Sequence, residues 1–422
     1  MKKTGVLDKW LTRFDRSFDR AARNPELMAM AASGLNILSN NRILFKSRPV
    51  PFRDSSSVRL LEAARKTFSR RKAGSSRRLL LLEATPHKVI YREGSLQLKL
   101  YDSWETPPRG QVVILPSLIN RPYILDLGRG RSLIQYLVKS GFEVALFDWG
   151  NPTRHEQELG LKPLLQERLP RALKALEAFS AVHDRGQQPR TLLGHCLGGN
   201  LALLFAEQAP TAFDKLALLT TPIDTENDAL LTTWFQTPNW DPQLFAKSVD
   251  FIPWTALQAS FLMQRPTLTT RRWLQFFARM SEKDFRESWL QMEIWSNDSV
   301  SFPTQIFQDL LIPMYRENSM MRKSELSLPI FSLAALDDHI VPIESAQAIR
   351  KSHPNCDHHF FEAKGGHIGA VLSSKTRKEV WPELLNFMAS SPNGGRAKSF
   401  DRNDSLPRAN LSRKSSAKDG AI

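Results

Sequence analysis

Cysteine is nearly absent from this chain: Cys196 and Cys356 are the only two in 422 residues. Two thiols in a chain of this length make no disulfide framework, so the composition points to a reducing cytosol. Long apolar runs are missing too. No stretch approaches the ~18 uninterrupted apolar residues of a membrane span. The basic N-terminus does not read as a secretory signal, because charges interrupt its apolar residues every few positions. What is present is a chain long enough for one large α/β domain with extensions, with 41% hydrophobic residues to fill a core.

The net charge of +15 sits at the two ends. Residues 1–78 carry +13 and residues 391–422 carry +4, which leaves −2 for the body between them. A near-neutral body with basic ends suggests an acidic surface or partner met by the ends, and no nucleic acid is expected at the core. Leu7, Trp10, Leu11, Phe14 and Phe18 share one helical face, with Lys9, Arg13, Arg16, Arg20 and Arg23 around it. Such a helix docks on the protein's own core or anchors it to a lipid or polymer surface. Further helices are expected over 26–38 and 58–70, followed by a flexible basic linker formed by Arg70, Arg71, Lys72 and Gly74–Arg78, so that 1–84 forms a basic helical extension. The Ser-, Arg- and Lys-rich residues 391–422 are expected to be disordered.

From residue 85 the pattern is that of an α/β domain. Val89–Arg92 and Leu96–Tyr101 flank Glu93-Gly94-Ser95 as a hairpin. Short apolar runs at 112–115, 144–147, 191–193, 216–219, 330–336 and 359–361 alternate with helical stretches, which predicts a mostly parallel sheet. The alternation stops over 225–325, a stretch containing Trp234, Trp240, Trp254, Trp273, Trp289 and Trp295. It reads as a helical insertion dividing the core into 85–224 and 326–390. An active-site lid and an ordinary helical subdomain both fit this pattern.

The chemistry concentrates at Gly194-His195-Cys196-Leu197-Gly198-Gly199, which follows a strand and opens a helix. This is the context of a nucleophile elbow, with Cys in place of the usual Ser. The tight turn needs small neighbours, and the helix N-terminus favours a thiolate. A buried structural Cys beside a glycine turn would show the same letters, so the downstream residues matter. An elbow calls for an acid and then a His, each in the loop after a strand. Asp337-Asp338-His339 follows the 330–336 strand, and Gly365-Gly366-His367 follows the 359–361 strand. Spacing alone leaves Asp337 and Asp338 both open as the acid. The reading is therefore an α/β-hydrolase fold with a Cys196 nucleophile and a His367 base, and with His339 beside the acid. The backbone N–H groups of Leu197 and Ile119 are expected to form the oxyanion hole. The His and Asp residues occupy these loops and not ligand spacings, so neither a metal nor a cofactor is expected.

These segments together resemble the poly(3-hydroxyalkanoate) synthases, over about 85–390. The box Gly194–Gly199 matches the G-x-C-x-G-G pattern of that family. Asn120–Leu127, Asp148-Trp149-Gly150, Trp295 with Asp298, Asp338-His339-Ile340-Val341-Pro342, Gly365–Gly369 and Val380-Trp381-Pro382 resemble further family segments. The Asp-His-Ile-Val-Pro register implies Asp338 as the acid. The resemblance implies polymerisation of (R)-3-hydroxyacyl-CoA with release of CoA. It also implies a homodimer, attachment to polymer granules in the cytoplasm and, from the chain's length, a second synthase subunit. Two other functions fit the same residues: a cysteine-dependent hydrolase or thioesterase, and a non-catalytic granule-associated protein.

Overall fold

The computed structural model describes residues 83–390, apart from 103–107, 129, 184, 186–187, 227–228, 239, 255, 258–259 and 261–266. The expected N-terminal helices, the basic linker and the C-terminal tail lie outside the described residues. An eight-stranded sheet organises the chain. In sequence order its strands are β1 (Lys88–Glu93), β2 (Leu96–Tyr101), β3 (Gln111–Leu115), β4 (Glu143–Asp148), β5 (Arg190–His195) and β6 (Lys215–Leu219), then β9 (Ile330–Ala335) and β10 (His358–Ala363). Between β6 and β9 the short strands β7 (Phe251–Ile252) and β8 (Phe302–Pro303) pair with each other.

The spatial order is β1-β2-β4-β3-β5-β6-β9-β10. The β1–β2 and β2–β4 pairs are antiparallel, and all pairs from β4 through β3 to β10 are parallel. Gly94, at φ 59°, turns the hairpin. The central strands are buried along their whole length, which is why they read as continuous apolar runs. The pleat divides them between two cores. Val113, Leu115, Leu192, Leu216 and Leu218 face one side, while Val112, Ile114, Leu193, Ala217 and Leu219 face the other.

In the parallel part of the sheet the strands run the same way, so the loops after β3, β5, β6, β9 and β10 gather at one edge. This is the edge at which open α/β sheets bind ligands. Helices fill the interval between β6 and β9, including Ala229–Gln236, Pro242–Lys247, Leu268–Arg279 and Lys283–Ser296. The end of this interval is tied to the loop after β3. Trp295 Nε1 donates to the Arg121 carbonyl at 2.9 Å, and the Val300 amide donates to the Ile119 carbonyl at 2.8 Å. Arg121 Nε and the Tyr123 hydroxyl both donate to the Asp298 carboxylate, at 3.1 and 3.0 Å. Trp295 and Asp298 thus fix the inserted helices to the sheet edge.

Candidate active site

Cys196 sits where β5 ends and the helix Leu197–Gln208 begins. Its backbone takes φ 54° and ψ −129°, a conformation that L-residues rarely adopt. Two hydrogen bonds hold the turn: the Cys196 amide donates to the Leu219 carbonyl at 2.9 Å, and the Gly199 amide donates to the Cys196 carbonyl at 2.8 Å. The glycines around the thiol are required by contact. A Cβ on Gly194 would lie 2.3 Å from the Gly199 Cα, and one on Gly198 would lie 2.1 Å from the Leu115 carbonyl oxygen. Both obstacles are backbone, so nothing can swing aside. Gly198→Ala is expected to cost more than ~3 kcal/mol or to prevent folding, as a urea unfolding curve would report. An unchanged midpoint would mean that the turn is looser than this geometry.

The two downstream loops meet at the elbow. His367 Nδ1 lies 2.7 Å from Asp338 Oδ2, and the Asp338 side chain is fully buried. The other Asp338 oxygen accepts from the amides of Ile340, at 2.8 Å, and Val341, at 3.0 Å. Cys196 lies close enough to the His367 ring to favour, with Asp338, its protonated form. With Nδ1 committed to Asp338, Nε2 is the nitrogen available to the sulfur.

The charges follow from this arrangement. Burial alone would push His367 down, but Asp338 and then Cys196 outweigh it and hold the ring's pKa up at about 10. Burial alone would push Asp338 up, but His367 and the two amides outweigh it and hold the carboxyl below its ordinary range. Asp337, the other acid left open by spacing, is exposed and has a different part. Its amide donates to the Gly365 carbonyl at 3.0 Å, and its carboxylate accepts from the Gly365 amide at 3.2 Å, so it braces the loop that carries His367.

A family model described as the alpha/beta hydrolase fold matches residues 112–372. The chain belongs to the α/β-hydrolase fold family. Within that superfamily it falls among the poly(3-hydroxyalkanoate) synthases. It is similar to the poly(3-hydroxyalkanoate) polymerase subunit PhaC of Haloferax mediterranei, with 27% identity over 82% of this chain and 73% of that protein. It is similar also to the protein of the same name from Allochromatium vinosum, with 29% identity over 76% of this chain and 94% of that protein.

Leu197 is the first residue of its helix, so its N–H has no partner within the helix and lies beside the sulfur. Ile119 is buried and shares a cavity wall with Cys196 and Leu197, but its amide is engaged at 3.4 Å by the Ser117 hydroxyl. His339 is half-buried next to Asp338, whose carboxylate bonds to the amides of Ile340 and Val341 and to the His367 ring.

His195, which chain order excludes as the base, lies in the site all the same. Its ring centroid is 5.9 Å from that of His367, it is 2% exposed, and neither of its nitrogens has a hydrogen-bond partner among the described residues. Burial first, and then the neighbouring His367 charge, push its pKa down to about 3, so the ring is neutral at physiological pH. A motif letter with no role in the chain-order argument gave no sign of this proximity.

Cys196 opens onto a largely apolar cavity. From the sheet edge, Ile119, Leu197, Pro222, Ile340 and Val341 line it beside Cys196, and most of the rest comes from the interval between β6 and β9. No charged side chain among the described residues lines this cavity. Among the described residues no group of three or more His, Cys, Asp or Glu side chains could hold a metal ion, and no helix is long and apolar enough to cross a membrane.

Proposed function

We propose that this poly(3-hydroxyalkanoate) synthase polymerises (R)-3-hydroxyacyl-CoA and releases CoA through an acyl group carried on the sulfur of Cys196. The observation that carries the mechanism is one buried imidazole, His367, bonded to Asp338 on one side and in reach of a strained cysteine on the other. With the thiol's proton already held on His367, the Cys196 sulfur attacks the thioester carbonyl carbon as a thiolate paired with the imidazolium. The carbon–sulfur bond to CoA breaks, and the imidazolium returns its proton to the leaving CoA thiolate. The next monomer's 3-hydroxyl gives its proton to His367 and attacks the Cys196-bound acyl carbon. An ester bond forms and the Cys196 thiol is regenerated.

Cysteine suits this sequence of steps. The first exchanges one thioester for another at little free-energy cost, and the acyl group stays activated for the second. The full burial of Asp338 and its bond to Nδ1 support a part in orienting and charging His367, as against meeting the incoming hydroxyl. The Leu197 amide would stabilise the oxyanion, with Ile119 as the second donor once Ser117 releases it. The inserted helices at 225–325 would act as a lid that keeps water from the acyl-enzyme.

The word "subunit" in the relatives' names supports a second synthase subunit. Two free cysteines support a reducing cytoplasm. The basic ends, 1–84 and 391–422, would meet the granule surface, and the chain would work as a homodimer. The test is incubation with (R)-3-hydroxyacyl-CoA, scoring free CoA and insoluble polymer separately. Both are expected to accumulate together. Soluble 3-hydroxy acid as the only product would turn the reading to a hydrolase.

A further inference from the structure

The loop 116–123, which follows β3 and carries the Ile119 amide, begins against the elbow but is held from elsewhere. A Cβ on Gly198 would strike the carbonyl oxygens of Leu115 and Pro116, so the start of the loop rests on the turn that carries Cys196. Three carbonyls farther along it are bonded. That of Pro116 accepts from Trp149 Nε1 at 3.1 Å, that of Ile119 from the Val300 amide at 2.8 Å, and that of Arg121 from Trp295 Nε1 at 2.9 Å. Asn120 and Ser299 pair as an antiparallel bridge, and Asn120 Nδ2 donates to Ser299 Oγ at 3.1 Å. Two of the three anchors, and this pairing, thus come from residues 295–300, at the end of the interval between β6 and β9.

Asp298 is the charged residue of that segment, and its carboxylate reaches the loop twice. One oxygen accepts from Arg121 Nε at 3.1 Å and the other from the Tyr123 hydroxyl at 3.0 Å. Tyr123 is a fixed point, because its ring packs in the core on one side of the sheet. Burial, and then the Asp298 charge, push its pKa up, so the hydroxyl stays a donor. Arg121 is braced in turn by Nη2, which donates to the Asn151 side chain at 2.8 Å. The direction of an amide N–H is set by the backbone on either side of it. A loop pinned at 116, 119 and 121 therefore presents the Ile119 amide in one orientation. An oxyanion donor works because it is aimed before the charge develops, and a displacement of about 1 Å can cost ~10² in rate.

We propose that Asp298 is a positioning residue for acyl transfer: through Arg121 and Tyr123 it holds the loop that aims the Ile119 amide at the oxyanion formed on Cys196. The proposal rests on the reading of Cys196 as the acylated nucleophile and of Ile119 as the second oxyanion donor. Asp298 does not itself line the cavity beside Cys196, so it acts through the loop. The chain between β6 and β9 then has a part in the chemical step beyond lining the cavity.

Two kinds of reaction at the same sulfur test it. Iodoacetamide alkylates a thiolate by displacing iodide from a saturated carbon, and no oxyanion forms. p-Nitrophenyl acetate and (R)-3-hydroxybutyryl-CoA acylate it through a tetrahedral oxyanion, releasing p-nitrophenolate or CoA. The rates of all three are measured on full-length wild type, Asp298→Ala and Tyr123→Phe, with the adduct located by mass spectrometry. Cys356 competes little, because burial pushes its thiol up to about 12. Asp298→Ala should be alkylated within about twofold of the wild-type rate, since the groups that set the thiolate are untouched. Both acylations should slow by about 10–100-fold, short of the ~10²–10³ for a donor removed outright. Tyr123→Phe should show the same split to a smaller degree, and it decides alone if Asp298→Ala does not fold. Alkylation and acylation that fall together, or wild-type acylation by a folded Asp298→Ala, overturn the proposal. The expected split with p-nitrophenyl acetate, without CoA release from the wild type, would instead sink the synthase reading and leave the positioning role standing. A wild type that neither donor acylates overturns both.

Discussion

Full-length Cys196→Ala releases CoA from a 3-hydroxyacyl-CoA at least ~10⁴-fold more slowly than the wild type, the scale of loss when an activated nucleophile is removed, and it remains folded. The proposed reaction has no second route. His367 and Asp338 would still be paired, but the imidazole would have no thiol to deprotonate. The folded state should hardly notice, because the bonds that shape the turn come from the backbone of residue 196. Cys196→Gly separates chemistry from strain. It is as inactive as the alanine variant, but it relieves a non-glycine residue at φ 54° and should be more stable by about 1 kcal/mol. Activity and stability then move in opposite directions, which links the strain at this position to holding the sulfur for reaction. Paired turnover and urea unfolding curves on the three proteins check both halves. An alanine variant that retained more than a hundredth of the activity would remove the sulfur from the mechanism.

The sequence carries much of this architecture because the controlling interactions are short in range or repetitive. The central strands read correctly because burial on both faces leaves a run of apolar letters. The turn between β5 and its helix is legible because Gly194, Gly198 and Gly199 are dictated by contacts within a few residues or with neighbouring strands. Choosing between Asp337 and Asp338 was beyond spacing, since adjacent residues differ in direction and not in position. In the fold one carboxylate turns inward to His367 and two amides, and the other turns outward to Gly365. The cavity was illegible for a different reason. Leu231, Phe245, Phe307 and Tyr315 are far apart in the chain and converge only through tertiary packing, so an aromatic-rich stretch announced helices without announcing a pocket. The π-helical turns at Leu164–Arg168 and Phe307–Leu311 leave no periodic signature distinct from the α-helices around them. His195 shows the limit of chain order as a filter: order excludes it as the base, but a side chain's neighbours are set across the sheet.

Asp338→Asn should slow CoA release by about 10²–10⁴-fold, the range for loss of effective general acid–base catalysis, and should change how stability depends on pH. In the wild type, His367 is raised to about 10 from an ordinary value near 6.5. Its contribution to stability is therefore complete below about pH 6.5 and is lost as pH rises toward 10. Asp338 is lowered, so its contribution is complete above its unfolded value of about 4 and is lost on acidification through the folded value. The pair stabilises the fold most between about pH 4 and 6.5. His195, pushed down to about 3, stays neutral in the fold while the unfolded imidazole protonates below about 6.5, so it works against the pair as pH falls through that window. Asparagine removes the carboxylate, and burial then drives the His367 ring neutral. The stability difference between wild type and variant should be largest near pH 5.5, on the order of 3 kcal/mol as for a buried pair that loses one partner, and should shrink steadily by pH 9.5. Urea unfolding of both proteins at the two pH values measures it. A difference that stayed constant from pH 5.5 to 9.5 would mean that the carboxylate does not hold the proton on His367, and the charge arrangement proposed for the reaction would fail with it.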